Sequence, residues 1–146
     1  MPLLTRWFIK LSLAYLVVAL LMGVALGGRA VLDLPAALSA LSPVYFHLFM
    51  VGWVTQLIFG MVYWMFPKHS REKPHGSEGL AWTVFGLLNA GLILRAVTEP
   101  LHALEPGIAW GWLLGGPQRL LALSAVFQWL AGLGFVLNTW ARVKER

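Results

Sequence analysis

Four apolar runs, at about 8–28, 44–67, 80–97 and 119–141, constrain this 146-residue chain more than any other feature. The hydrocarbon core of a bilayer is about 30 Å thick, a distance that about 20 helical residues cross. Lipid offers the backbone no hydrogen-bonding partner, so only helices and closed barrels span it. These runs are too long and too continuous for barrel strands. The expected fold is all-α, an integral membrane four-helix bundle forming one domain over residues 1–146. The third run is the least clean, since it carries Asn89 and Arg95. Between the third and fourth runs, "GIAWGWLLGG" is too short to cross, and its two tryptophans suit a segment lying at the interface.

Composition agrees. The chain is 59% hydrophobic and 12% charged, whereas soluble domains carry about a quarter charged residues. The net charge of +5 does not point to nucleic acid, because the bases flank the apolar runs and form no single patch. Arg6 and Lys10 begin the first run, Lys68, Arg71 and Lys73 follow the second, and Arg142, Lys144 and Arg146 follow the fourth. With four alternating helices these three groups share one side, and the opposite side holds only Arg29 and Arg119. Positive charge stays inside. Both termini are therefore expected in the cytoplasm, and the chain in the inner (plasma) membrane. Arg6, Lys10 and "ALGGRA" also read as a signal peptide, but the run from Leu11 to Leu26 is long for one, so an uncleaved helix is expected. No linker, second domain or internal repeat is visible.

The chain has no cysteine, which removes disulfides, thiolate metal sites, cysteine nucleophiles and covalent heme attachment through CxxCH. Histidine, methionine, tyrosine and carboxylates remain as ligands. His47 lies just inside the second run. The helical face that follows it, Met50, Val51, Val54, Ile58, Met61 and Met65, offers the imidazole no hydrogen-bonding partner. Ionisable groups within a membrane are costly and usually functional. Two readings stand: a ligand, or an interhelical or interfacial hydrogen bond. His69 and His75 sit among cations in "KHSREKPHGSE" and read as solvated. His102, in the loop after the third run, returns to the same side as His47, as two axial ligands of one porphyrin must. An interfacial histidine is its alternative. Arg95 precedes Glu99 by four residues, the spacing of an ion pair on one helix face. Glycines, among them Gly23 and Gly27 in a GxxxG pattern, let helices approach closely.

The order of residues in the second run is similar to a known helix. His47, Gly52-Trp53, Gly60, Tyr63-Trp64 and Phe66-Pro67 resemble the tenth helix of subunit I in heme–copper oxidases, closest to the C-type cytochrome-c oxidases and nitric oxide reductases. The resemblance covers about 23 residues of the chain. It implies that His47 is an axial ligand of a low-spin heme. Tyr45 stands where that family has the histidine of its high-spin heme, so the resemblance implies no binuclear oxygen- or NO-reducing centre. The family's other low-spin ligand comes from a helix with no counterpart here. The second ligand is left to His102, another copy of the chain, Met50 or Met22, or to no residue. Arg95 and Arg119 are the expected partners of heme propionates, since a guanidinium fork matches a carboxylate.

The expected function is that of a b-type cytochrome, an electron carrier and not an enzyme, with heme b bound through His47 and with His102, Arg95 and Arg119 as further site residues. The expected partners are the bilayer, further copies of the chain such as a dimer, and a redox partner of a respiratory chain. One alternative is an accessory or heme-handling subunit of a respiratory oxidase. Another is a heme-based binder of NO or oxygen. A small transporter fits less well, because Asn89, Gln56, Gln128 and Ser124 are scattered and define no polar path.

Overall fold

In the computed structural model, residues 1–67, 76–104 and 117–143 are described. Among them the secondary structure is all helical, with no strand. Helix α1 spans Leu3–Gly27. A 3-10 turn at Ala36–Leu41 leads into α2, Ser42–His47, then a π-helical stretch, Leu48–Thr55, then α3, Gln56–Met65. These pieces form one span. Helix α4 covers Glu78–Leu104 and α5 covers Pro117–Thr139, closed by a 3-10 turn at Trp140–Arg142. All four spans are long and apolar enough to cross a membrane.

The four expected helices are present, with shifted ends. Helix α1 begins five residues earlier than the apolar run suggests, because its first turn is buried: Leu4 and Thr5 pack inside the bundle. The larger correction is in α4, which continues through Pro100 and carries His102 within the helix, where a loop was expected. Pro100 has no N–H to give the Ala96 carbonyl, yet proline is tolerated within a membrane helix. The expected interfacial segment at 107–116 and the two histidines at 69 and 75 lie outside the described residues.

Neighbouring spans run antiparallel. Gly60 faces Phe8 and Gly23 faces Tyr45, which fixes α1 against the second span. Gly134 faces Val84 and the Ser124 hydroxyl reaches the Gly91 carbonyl at 2.8 Å, which fixes α4 against α5. Small residues at these crossings bring the backbones together. The glycine pattern is not uniform, however. A Cβ at Gly27, Gly86 or Gly132 would meet nothing.

The π stretch has a geometric cause. Five of the six buried residues of the second span recur every four positions, Val44, Leu48, Gly52, Gln56 and Gly60, with Tyr63 three further on. An α-helix has 3.6 residues per turn, so a four-residue spacing drifts by about 40° per step and by about 160° from Val44 to Gly60. A π turn bonds i to i+5 and takes in more residues. Eight residues of it hold the stripe against its neighbours, with Gly52 under the Tyr15 ring and Gly60 under Phe8. The Thr55 hydroxyl donates to the Met50 carbonyl, five residues back, at 2.9 Å.

Candidate functional site

His47 is the last residue of α2, where the π stretch begins. Pro43 opens that helix within its first turn. Its carbonyl lies 2.9 Å from His47 Nδ1. A carbonyl only accepts, so Nδ1 carries the proton and donates. The neutral imidazole then has its lone pair on Nε2. A ligating histidine almost always donates its other ring N–H to such an acceptor, which fixes tautomer and ring direction. The partner that the apolar face fails to supply is thus the backbone of the same helix, one turn back. The sequence carries that signal as the four-residue spacing from Pro43 to His47.

The surroundings of the ring divide in two. Val44, Leu48 and Gly52 are buried against α1 and α4, with Ala19 and Ala96 among the packed neighbours. Pro43, Phe46 and Met50 are exposed on the bundle surface. At about 100° per residue, His47 falls on the border between the two strips, and it is half-buried. The glycine nearest in sequence does not make room for a macrocycle, since the Tyr15 ring already lies on Gly52. Tyr45, in place of a second histidine, packs its ring on Gly23 and against Phe46 and Phe49.

Three polar side chains, Arg95, Glu99 and His102, follow one another along α4 at spacings of four and three residues. Arg95 Nη2 lies 3.3 Å from Glu99 Oε1, which realises the expected ion pair. Arg95 Nε, Glu99 Oε2 and His102 Nδ1 are buried without a hydrogen-bonding partner. His102 therefore lacks the orienting bond that His47 has. Arg119 is exposed two residues after the start of α5. Among the described residues no group of three or more metal-ligating side chains converges.

The polar residues considered for a transport path are instead joined to neighbouring groups. Tyr15 donates to Asn89 Oδ1 at 2.9 Å, while Asn89 Nδ2 donates to the Phe85 carbonyl at 2.8 Å. Gln128 donates to Ser124 Oγ at 3.2 Å, and Gln56 Nε2 approaches the Phe8 carbonyl at 3.5 Å. The Tyr15–Asn89 and Gln56–Phe8 bonds tie spans together, and the other two stay within α4 and α5. Sequence reasoning also missed Arg142, reading it only as a topological charge. It is fully buried, and it donates to the carbonyls of Tyr63, Phe66 and Pro67 at 3.1, 2.8 and 3.1 Å. Burial lowers its pKa, and the neighbouring Tyr63 acts in the opposite direction.

No family model, no curated protein and no solved structure matches the chain.

Proposed function

We propose that this protein is a membrane cytochrome of the b type, holding heme b noncovalently through His47 Nε2 for one-electron transfer. The observation that carries the reading is the Nδ1–H···O=C bond to Pro43, which leaves the lone pair on Nε2 of a half-buried ring. The oxidase-like order of His47, Gly52-Trp53, Gly60 and Phe66-Pro67 supports it. Bound heme supplies the redox chemistry, and the protein supplies ligation, an apolar setting and charge near the propionates. Arg95 and Arg119 are the residues proposed for the propionates, Arg119 exposed near the start of α5 and Arg95 paired with Glu99.

The test is a visible spectrum of the detergent-purified protein, oxidised and reduced. A red protein with the sharp reduced bands of a b-type cytochrome is expected. His47→Ala should insert normally, since it removes a polar group from an apolar run, yet lose its heme. A colourless wild-type protein, or a full heme complement in His47→Ala, overturns the assignment.

A further inference from the structure

We infer that the His47 end of the bundle holds a water-filled proton-exchange site, walled by Arg95, Glu99 and His102 on α4 and floored by Leu92 and Leu88. This site does not depend on the heme reading.

One stripe of α4 faces the bundle interior along the whole helix. Ala81, Val84, Leu88 and Leu92, at spacings of three and four, belong to the buried core. The same spacing continues through Arg95, Glu99 and His102. At about 100° per residue, these three lie roughly 165° round the helix from Ile93, Val97 and Leu101, which form its exposed strip. The core stripe therefore changes from apolar to ionisable toward the end of α4. Ala96 packs with Val44, Leu48 and Ala19, which puts the change at the His47 end of the bundle. There, Arg95 Nε, Glu99 Oε2 and His102 Nδ1 are buried without a hydrogen-bonding partner. Buried polar atoms normally bond to protein or to ordered water. Each of the three sits on a side chain that reaches the surface: those of Arg95 and Glu99 keep 23% and 15% exposure, and His102 is half-buried. Water can follow these side chains inward from the end of the bundle.

Charge selects water over an ion. Arg95 and Glu99 neutralise each other through their 3.3 Å pair, so neither an anion nor a metal cation meets a net attraction. What remains unspent is a donor, Arg95 Nε–H, an acceptor, Glu99 Oε2, and an imidazole nitrogen that serves as either. Water both donates and accepts, and a buried water makes about three such bonds. Carboxylates and imidazoles that share a polar site in a membrane make proton relays. A proton picked up at His102 Nδ1 leaves it for a bridging water, and that water's own proton forms the O–H bond on Glu99 Oε2. The reverse steps return it. Among the described residues, the other titratable or charged groups on the spans packed against this end of α4 are Tyr45 and His47 on α2 and Arg119 on α5, none of them a carboxylate. Leu92 and Leu88 close the stripe below, so protons enter and leave by the same end.

The experiment treats the full wild-type chain in lipid nanodiscs with a water-soluble carbodiimide and glycinamide, and locates the products by peptide mass spectrometry. Carbodiimide adds to a protonated carboxyl, so a product at Glu99 reports both access to water and proton uptake. Glu99 should be modified, as should Glu78, which is exposed at the opposite end. Because the chain has no cysteine, single introduced thiols then compare the two sides of α4. A charged thiosulfonate should react with Arg95→Cys at least about tenfold faster than with Val97→Cys or Leu92→Cys, because apolar surroundings suppress the thiolate. Modification of Glu78 with Glu99 spared in the wild-type protein overturns the site. So does Val97→Cys or Leu92→Cys reacting as fast as Arg95→Cys, which would place the whole helix end in water. Both measurements read carboxyl or thiol chemistry and not colour, so they stand or fall apart from the heme.

Discussion

Polar side chains inside the spans divide into those that bond within the bundle and those that do not, and the difference sets what each substitution costs. Tyr15 reaches from α1 to Asn89 on α4, and Asn89 passes its own amide protons to Phe85. Such bonds within a membrane are worth about 0.6 kcal/mol on average and at most about 1.7. Tyr15→Phe should therefore destabilise the protein by about 1 kcal/mol, read as a shift in an SDS-unfolding titration. The ring remains to cover Gly52, so no larger packing loss is expected. A shift of several kcal/mol would show that the hydroxyl does more than join two helices. Asn89 and Tyr15 were each visible in the sequence, but their pairing was not, because 74 residues separate them. His47 was legible as an anomaly for the opposite reason: a lone imidazole in an apolar run stands out whatever surrounds it. Its partner, Pro43, is local, but an expectation built only on apolar faces overlooks a backbone carbonyl.

At the scale of elements, the second span shows where periodicity misleads. A strict 3.6-residue reading puts Met50, Val51, Val54, Ile58, Met61 and Met65 on one face with His47. The π stretch breaks that face at Leu48–Thr55. The information was present as the four-residue recurrence of Val44, Leu48, Gly52, Gln56 and Gly60, but it competes with many other apolar positions. In a span that is apolar nearly all round, hydrophobicity alone does not say which stripe is buried. Small residues do. A Cβ at Gly52 would lie 2.9 Å from the Tyr15 ring, whereas one at Gly27 would meet nothing. Overpacking a close contact costs about 1–3 kcal/mol. Gly52→Val is accordingly expected to lower stability by that order, and Gly27→Ala to leave it unchanged or slightly raised, since alanine is the better helix former. Equal effects at the two glycines would remove the assigned role of Gly52. The helix ends were less legible than the helices. Pro100 marks a stop in sequence, yet α4 runs past it to Leu104.

For the whole molecule, charge is the organising property at the end where α3 finishes and α5 ends. Arg142 emerges from α5 and closes on the last carbonyls of the second span, where a helix terminus leaves acceptors unpaired. Its guanidinium also stands 5.9 Å from the Phe66 ring. Hydrogen bonds to charged groups contribute about 1.5–3 kcal/mol, so Arg142→Ala should weaken the bundle by about that much, and Arg142→Lys should recover only part, lacking the fork. An unfolding titration in detergent reads both. At the same end, Asn138 Oδ1 accepts from the Ser77 backbone at 2.9 Å, so the start of α4 is held to the end of α5. This fastened end is also the one that gathers the cations. Arg6 and Lys10 lie in the first turns of α1, and Lys68, Arg71 and Lys73 follow the second span in sequence, while the opposite connection at 28–41 holds Arg29 alone. The positive-inside rule predicts the fastened end in the cytoplasm and the His47 end outside. The absence of cysteine makes the test clean. Gly79 has open space around its Cα and Val31 is 88% exposed, so a cysteine at either position should be tolerated and accessible. In intact cells a membrane-impermeant maleimide should label Val31→Cys and spare Gly79→Cys until the membrane is opened. The reverse pattern would place His47 at the cytoplasmic surface, and any heme it holds would exchange electrons with partners on that side.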